Sequence, residues 1–357
     1  MFLQCGQLRV SYNGNTTAFQ AVAGGSIPPT RSKLTMEKRI DLSSFLEKIG
    51  FTGESAEITE SLDMYPHKEK SEDNWSYYTG FGFMRLQEIF GKEQRNVSTV
   101  AIVGIGSGVE GTLAVKIFKP TIKNLIISDI DTEIIVVAVQ NIKNTVNSEG
   151  INIMSLVGSF CEPIEKTSLT PDLVYGNLPN LPATGEENLT HGAEKGTFIP
   201  SSLYEGYKPP QKFVNWAMGS QFAYLQSAKR VLPDGGSVVT TLGGRMPLGL
   251  VKELFAECGF KLEEVITGFK EQSEALIDFQ GYNRLEREFG ISFEFYLYEQ
   301  AISLMKKKGI INPSSHILVE ELKKLLEPFK VSAGRALKLY EQNTPVGHTV
   351  HIFRGIR

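Results

Sequence analysis

The stretch "VAIVGIGSGVEG", Val100 to Gly111, places glycines at alternate positions directly after a short apolar run. An apolar run of roughly four to eight residues that ends in glycines is typical of a buried parallel strand, and the "EGTLAVKIF" that follows indicates a crossover helix. At such a turn the bare backbone and the helix N-terminus offer N–H groups to a polar ligand. The stretch predicts an α/β fold whose ligand lies at the carboxyl ends of the strands.

The chain after Val97 continues this alternation. Strand-like segments, mostly separated by helical ones, are "NLIISDI", "NIMSLVGS", "DLVYGNL" and "GSVVTTLGG". This order predicts a doubly wound, Rossmann-like parallel sheet. We expect four regions: a loose N-terminal arm over 1–35, a helical cap over 36–95, the ligand-binding core over 96–300, and a C-terminal helix with a last edge strand over 301–357, which completes the sheet.

Composition restricts the class of protein and its partners. With 357 residues, 41% hydrophobic and 22% charged, and a net charge of -3, the chain can bury a large core and shows no excess of basic residues for nucleic acid. No stretch approaches the roughly 18 apolar residues of a membrane span. Cys5, Cys161 and Cys258 lie far apart, without metal-ligand spacing. We expect a cytoplasmic protein with a small-molecule substrate and neither a nucleic-acid nor a membrane partner; a homo-oligomer stays open.

The second strand identifies the class of ligand. It ends in "IISDID", so Asp129 stands 25 residues after Gly104, where an acidic residue accepts hydrogen bonds from ribose hydroxyls. The dinucleotide pattern needs Gly or Ala where this chain has Val109, and no G-K-[ST] of a phosphate loop follows. The remaining nucleoside candidate is S-adenosyl-L-methionine, which carries no phosphate.

The fourth strand ends in a second turn that faces the same crevice. "DLVYGNLPNLP" closes with Asn177 to Asn180, a rigid Asn/Pro turn at a strand's carboxyl end. An ordinary structural turn is the alternative at both places. The predicted cofactor-binding residues are Gly104, Gly106, Gly108, Asp129, Ile130, Ser159, Phe160 and Asn177.

Together, the glycine turn, Asp129 and the Asn177 turn resemble the class I S-adenosylmethionine-dependent methyltransferases, whose N-P-P-Y motif has a similar variant here. The resemblance narrows to the methyltransferase region of methionine S-methyltransferases and their bacterial relatives, through "GNLPNLP", "LGGRMPLGLVKELFAECGFKLEEV", "EALIDF", "RLEREFGISFEFYLY" and "VGHTVHIFRGI". It runs from about Met64 to the C-terminus. It implies a seven-stranded sheet, a methyl donor at the glycine turn, and an amino acid or small amine as acceptor.

Two positions depart from the superfamily. Acidic residues usually stand two positions before the first glycine and at the end of the third strand, where this chain has Ile102 and Ser159. Ser159 can still form a hydrogen bond near the adenine, whereas Ile102 offers nothing polar. The methionine end of the donor therefore needs another anchor.

The acceptor side of the prediction starts from the chemistry of a sulfonium methyl group. Transfer is an in-line displacement governed by proximity and orientation, so we expect no metal and no catalytic triad. An amino-acid carboxylate favours an arginine, and Arg245 follows the strand-end glycines of "TTLGGRMPLG". Asn177 is expected to orient an amine nucleophile. Rings that can box a cationic group are Trp75, Tyr77, Tyr78, Tyr204 and Tyr207.

The sequence thus predicts a methyltransferase for a small amino-acid-like metabolite, with S-methylation of methionine as first choice. N- or C-methylation of another small amine or amino acid is the second reading. For an amine, His191 is a candidate base, whereas a thioether needs none. A non-catalytic nucleoside-binding or assembly protein is the alternative from another class.

Overall fold

A computed structural model describes residues 8–12, 15–19, 38–54, 56–183, 185–272 and 279–357. Most of the predicted arm over 1–35, with Cys5, and most of "EALIDF" lie outside these residues. Within the arm, β1 (Leu8–Tyr12) and β2 (Asn15–Phe19) pair as antiparallel strands.

The segment predicted as a helical cap also contains strands. It consists of β3 (Lys38–Asp41), α1 (Ser43–Lys48), β4 (Glu57–Glu60) and α2 (Trp75–Lys92). β3 and β4 pair antiparallel, with Ile40 opposite Ile58. Each strand has four residues and one large apolar side chain, which is too little for an alternating pattern to be recognised in sequence.

The core contains the strands that the sequence predicts. Its elements are β5 (Thr99–Val103), α3 (Val109–Phe118), β6 (Asn124–Asp129), α4 (Thr132–Thr145), β7 (Asn152–Val157), β8 (Leu173–Gly176), α5 (Gln211–Asn215), α6 (Gly219–Val231), β9 (Ser237–Gly243), α7 (Leu248–Glu257) and β10 (Lys261–Glu271). Successive β5 residues face opposite sides: Val100 and Ile102 pack with α2, α3 and α4, while Ala101 and Val103 pack with α6 and α7. Because helices cover both faces of the sheet, successive residues of β5 are all buried, and its sequence is a nearly continuous apolar run.

The chain after β10 contains more elements than the one helix and the edge strand that were predicted over 301–357. Its elements are α8 (Phe279–Phe289), β11 (Phe295–Leu297), α9 (Tyr298–Lys307), α10 (Val319–Leu326), β12 (Lys330–Val331), α11 (Ala333–Glu341) and β13 (Val346–Ile356). β13 lies inside the sheet, between β9 and β10. The sequence analysis expects an edge strand here, but His348, His351 and Arg354 are buried and hydrogen-bonded to neighbouring elements or residues.

The described strands β5 to β13 form one nine-stranded sheet. β7, β6, β5, β8 and β9 run parallel, and β13 and β10 continue the sheet antiparallel. Seven is the number of strands that the family resemblance implies, and β11 and β12 add two short ones. The chain builds outward from β5 to β7 and then returns to β8 on the other side of β5. Open α/β sheets bind ligands at such a reversal, outside the carboxyl ends of the strands.

Candidate active site

A cavity lies at this reversal and brings together most of the predicted site residues. It is lined by the ends of β5, β6, β8 and β9, by the start of α2, and by loop residues near 60–67 and 195–199. The predicted residues that line it are Gly104, Gly106, Asp129, Ile130, Ser159, Phe160, Asn177 and Arg245. Glycines, aspartate and arginine that stand far apart in sequence therefore face one space.

The glycine turn keeps one end of the cavity open. Gly104 and Gly106 have φ of 68° and 52°, a region that L side chains rarely adopt. A Cβ atom built on Gly106 meets no atom within 4 Å. A side chain at Gly106 is excluded by its backbone conformation and by the need for open space, and not by packing against the protein.

Asp129 lies across the turn from Gly106. Its two carboxylate oxygens accept hydrogen bonds from the backbone N–H groups of Gly106 and Asp131, each at 3.3 Å. Burial raises the pKa of this carboxyl, and the backbone donors oppose that shift. Two long hydrogen bonds leave lone pairs of Asp129 available to hydroxyl groups of a ligand.

Gly108 has a different role from the other two glycines. It does not line the cavity, and it has φ of 88° just before α3. An added Cβ would stand 2.8 Å from the carbonyl oxygen of Ala138 in α4. Gly108 therefore permits close packing of α3 against α4 and lies outside the ligand site. The alternate spacing of the three glycines could not distinguish Gly108 from Gly104 and Gly106.

A carboxylate that the sequence analysis did not select stands beside the turn. Glu110, in the first turn of α3, lines the cavity and accepts a 2.7 Å hydrogen bond from the Ser76 hydroxyl at the start of α2. Burial raises its pKa, which the Ser76 hydrogen bond opposes. Glu110 forms no ion pair with another described residue. Ser76 belongs to the cap segment, which is remote from Glu110 in sequence. The spacing of residues therefore could not predict the hydrogen bond between them.

Arg245 follows β9, which the sheet order β9-β8-β5-β6 puts at the opposite end of the cavity from Asp129, and it is almost completely buried, with 1% of its surface exposed. Its Nε and Nη2 donate to Oε1 of Gln272 at 3.0 and 2.7 Å. Nη1 has no hydrogen-bond partner among the described residues, and these residues give Arg245 no salt bridge. A buried guanidinium without a carboxylate is costly unless a ligand completes its contacts.

His348 also forms a hydrogen bond with the guanidinium of Arg245, at Nη2. Its Nδ1 lies 2.7 Å from the Thr349 carbonyl oxygen and must donate to it, so Nε2 is the acceptor for Nη2 of Arg245 at 3.1 Å. Burial and the neighbouring charges of Arg245 and Lys270 hold the pKa of His348 well below its usual value. A neutral His348 can therefore orient Arg245 without repelling it.

The predicted aromatic residues divide into two groups. Trp75 lines the cavity and stacks on His348, with ring centroids 5.6 Å apart. Tyr204 lies outside the lining and packs on Gly219, where an added Cβ would meet its ring at 2.6 Å. The Tyr207 hydroxyl donates to Glu162 and accepts from Arg230, also outside the lining. These structural contacts remove Tyr204 and Tyr207 from our list of acceptor residues.

Three further candidates also lie outside the cavity lining. Tyr77 and Tyr78 pack against each other edge to face. His191 is exposed and contacts Asn188 and Thr190 within its own loop. The histidine that lines the cavity is His67, whose pKa is lowered to about 4 by burial.

Side chains of α6 hold the Asn177 turn through hydrogen bonds. The carbonyl oxygens of Leu178 and Pro179 accept hydrogen bonds from Gln221 at 2.8 Å and Ser220 at 3.0 Å. Asn177 and Asn180 both line the cavity. The turn is therefore held rigidly while its amide side chains face the ligand space.

Two loops cover the cavity and are joined by a lysine. Lys195 pairs with Asp63 at 3.1 Å and also with Asp131, the N-cap residue of α4. Gly196 lies so close to the 63–65 backbone that an added Cβ would stand 2.8 Å from the Asp63 carbonyl oxygen. These contacts hold the 63–65 and 192–196 segments together beside the end of β6, and we call the joined segments the Lys195 cover.

Two other findings concern the whole of the described chain. No group of His, Cys, Asp and Glu within it is arranged to hold a metal ion. Among its helices, none combines the length and the apolar character that crossing a bilayer requires.

Comparison with known proteins gives matches only among solved structures: no family model and no curated protein matches the chain. A precorrin-6y C5,15-methyltransferase from Geobacter metallireducens GS-15 has 10% identity over 82% of this chain and 92% of that chain, with a TM-score of 0.34. A ribosomal protein L11 methylase from Lactobacillus delbrueckii subsp. bulgaricus has 14% identity over 58% and 76%, with a TM-score of 0.34. A phosphoethanolamine N-methyltransferase from Haemonchus contortus has 10% identity over 81% and 59%, with a TM-score of 0.32. At TM-scores this low the likeness does not decide the function, which has to be inferred from the cavity.

Proposed function

We propose that this protein is an S-adenosylmethionine-dependent methyltransferase that acts on a small amino-acid-like metabolite, with S-methylation of methionine as the first choice. One observation carries the proposal. A single cavity has a turn suited to a phosphate-free nucleoside at one end, with Gly106 and Asp129, and a buried arginine without a carboxylate partner at the other. A nucleoside methyl donor and a methyl acceptor with a carboxylate group can therefore bind next to each other in this cavity.

The residues present fit the donor. Asp129 has lone pairs for the ribose hydroxyls, Gly104 and Gly106 leave room beside the turn, and Ile130, Ser159 and Phe160 line the adenine side. When bound, S-adenosylmethionine supplies a methyl group already activated by a positively charged sulfur. The superfamily usually has an acidic residue at the position of Ile102, and we propose that Glu110 takes its place in binding the donor's ammonium group. The variant Glu110→Gln tests this assignment in the titration described next.

Calorimetric titration with S-adenosylhomocysteine tests the donor site directly. We expect one site per chain and no binding of NAD⁺ or ATP, because the turn lacks the glycine pattern and lysine that hold their phosphates. Binding of either nucleotide in preference to S-adenosylhomocysteine would contradict the proposed donor.

Asp129→Ala is expected to weaken S-adenosylhomocysteine binding by about 10- to 100-fold, the cost of losing hydrogen bonds to a charged acceptor. Calorimetry on the folded variant measures the dissociation constant. Asp234→Ala, which removes a fully exposed aspartate outside the cavity, is the matched control. An unchanged affinity in Asp129→Ala would remove Asp129 from the site.

The chain's own residues have three tasks in the transfer. Arg245 binds the acceptor's carboxylate, Trp75 and the Asn177 turn orient the nucleophile, and the Lys195 cover excludes water. Proximity and orientation of this kind are sufficient for a displacement at an activated methyl group.

The positions of the histidines favour a thioether over an amine as the nucleophile. An amine has to lose a proton, whereas the sulfur of a thioether does not. His191 lies outside the cavity lining, and the low pKa of His67, about 4, makes it a weak base. Neither histidine is suited to be that base, which supports S-methylation of methionine ahead of N-methylation.

Asn177→Ala distinguishes the two nucleophiles. For a thioether we expect kcat to fall by less than about tenfold, because no N–H has to be received, whereas a misplaced amine should lose about 100-fold. Initial rates at saturating donor measure kcat. A 100-fold loss with unchanged S-adenosylhomocysteine affinity would count against S-methylation and favour an amine.

A further inference from the structure

Two residues that line the same cavity each carry a buried donor atom without a hydrogen-bond partner. In the described part of the chain these atoms are Nη1 of Arg245 and Nδ2 of Asn180, whose residues are 1% and 7% exposed. We infer that Asn180 and Arg245 together form a two-donor seat for the carboxylate of the acceptor, with Asn180 as a specificity-determining residue. This inference rests on the proposed methyltransferase function and deepens it.

An unmet donor is unusual in a folded protein, because a buried N–H without an acceptor has lost its hydrogen bonds to water and gained none in return. Nη2 and Nε of Arg245 are occupied by Gln272 and His348, so only Nη1 remains to contact a ligand. Nη1 lies beside Gly243, where an added Cβ would come within 2.4 Å of it. Gly243 also lines the cavity, so this nitrogen stands at the cavity wall.

Tyr282 of α8 contacts both Asn180 and Arg245. Its hydroxyl donates to the Asn180 carbonyl oxygen at 3.4 Å, and the guanidinium carbon of Arg245 lies 5.5 Å from the centroid of its ring. Asn180 and Arg245 therefore border the same aromatic side chain. Asp129, by contrast, contacts the glycine turn at the other end of the cavity. The seat is thus separate from the donor end.

The chemistry of the two atoms specifies the ligand. Both are N–H donors and one belongs to a positively charged guanidinium, so a partner with two acceptor oxygens and one negative charge suits them. A carboxylate has this combination, and an ammonium group has neither property. The acceptor class is therefore a free amino acid, and its decarboxylated amine should bind poorly.

Titration of the acceptor into protein saturated with S-adenosylhomocysteine tests the seat without turnover. The probes are L-methionine and 3-(methylthio)propylamine, which is methionine without its carboxylate. We expect the wild type to prefer the acid by at least 100-fold, and Asn180→Ala to reduce that preference by about 10- to 100-fold, as for one hydrogen bond to a charged group. Asn144→Ala, on the exposed side of α4, is the matched control and should keep the preference.

Asn180→Asp keeps the shape of the side chain and separates a binding role from a structural one. We expect it to reduce the preference for the acid further than Asn180→Ala does, because it places a carboxylate against a carboxylate. An unchanged preference in both variants, or tighter methionine binding in Asn180→Asp, would overturn the inference; the second result would mean that Asn180 faces the ammonium. If S-adenosylhomocysteine itself fails to bind, the proposed function fails, and the same titrations without it still decide the seat.

Discussion

Gly106→Val is expected to abolish S-adenosylhomocysteine binding while the protein keeps a cooperative unfolding transition. An added Cβ at Gly106 meets no protein atom within 4 Å, so we expect the branched side chain to occupy the ligand's volume. Its φ of 52° adds backbone strain of about 1–3 kcal/mol for a β-branched residue. Calorimetry and urea unfolding measure the two effects separately.

Gly290→Val is the matched control for the strain. Gly290 has φ of 63°, no atom within 4 Å of an added Cβ, and a position outside the cavity lining. It should lose a similar amount of stability and bind S-adenosylhomocysteine as the wild type does. If Gly106→Val binds as well as Gly290→Val, the glycine turn is only structural.

Arg245→Met is expected to lower kcat/KM for methionine by about 100- to 1,000-fold, the cost of removing a buried charge that pairs with a substrate carboxylate. The donor's dissociation constant should stay within about threefold, since Arg245 lies at the other end of the cavity. The free energy of unfolding should change by no more than about 1 kcal/mol, because removing an unpaired buried charge offsets the hydrogen bonds lost to Gln272 and His348.

Arg354→Met separates this effect from the loss of any buried arginine. Arg354 is also 1% exposed, but it pairs with Glu93 at 2.6 and 2.8 Å and with Glu263 at 3.1 Å, outside the cavity lining. Its removal leaves partners unpaired and should lower the free energy of unfolding by about 2 kcal/mol or more. kcat/KM should be unchanged in the folded protein. Equal losses of kcat/KM in the two variants would mean that Arg245 acts only through the fold.

The fold was predictable where the sequence pattern is long and the burial is two-sided. β5 and β9 are continuous apolar or small-residue runs because helices cover both faces of the sheet. β3 and β4 were missed because four residues show no clear period. β13 was misplaced at the edge, because His348, His351 and Arg354 are stabilised inside the sheet by partners distant in sequence.

The end of the cavity that we assign to the donor could be predicted from local patterns, whereas the end that we assign to the acceptor could not be completed. Asp129 ends β6, and Gly106 and Asn177 lie just after β5 and β8, so topology alone places them together. The partners of Arg245 come from β10 and β13, and Glu110 meets Ser76 of the remote cap. Such pairings depend on tertiary packing and leave no spacing in the sequence.

The most direct test of the central claim is a mass-spectrometric measurement of methyl transfer. The purified protein is incubated with S-adenosylmethionine and L-methionine, and the acceptor and donor products are quantified together. We predict equal amounts of S-methylmethionine and S-adenosylhomocysteine, with the label of a methyl-labelled donor found only on the acceptor. Binding of S-adenosylhomocysteine without any methylated product from methionine or from a panel of amino acids and small amines would contradict the account.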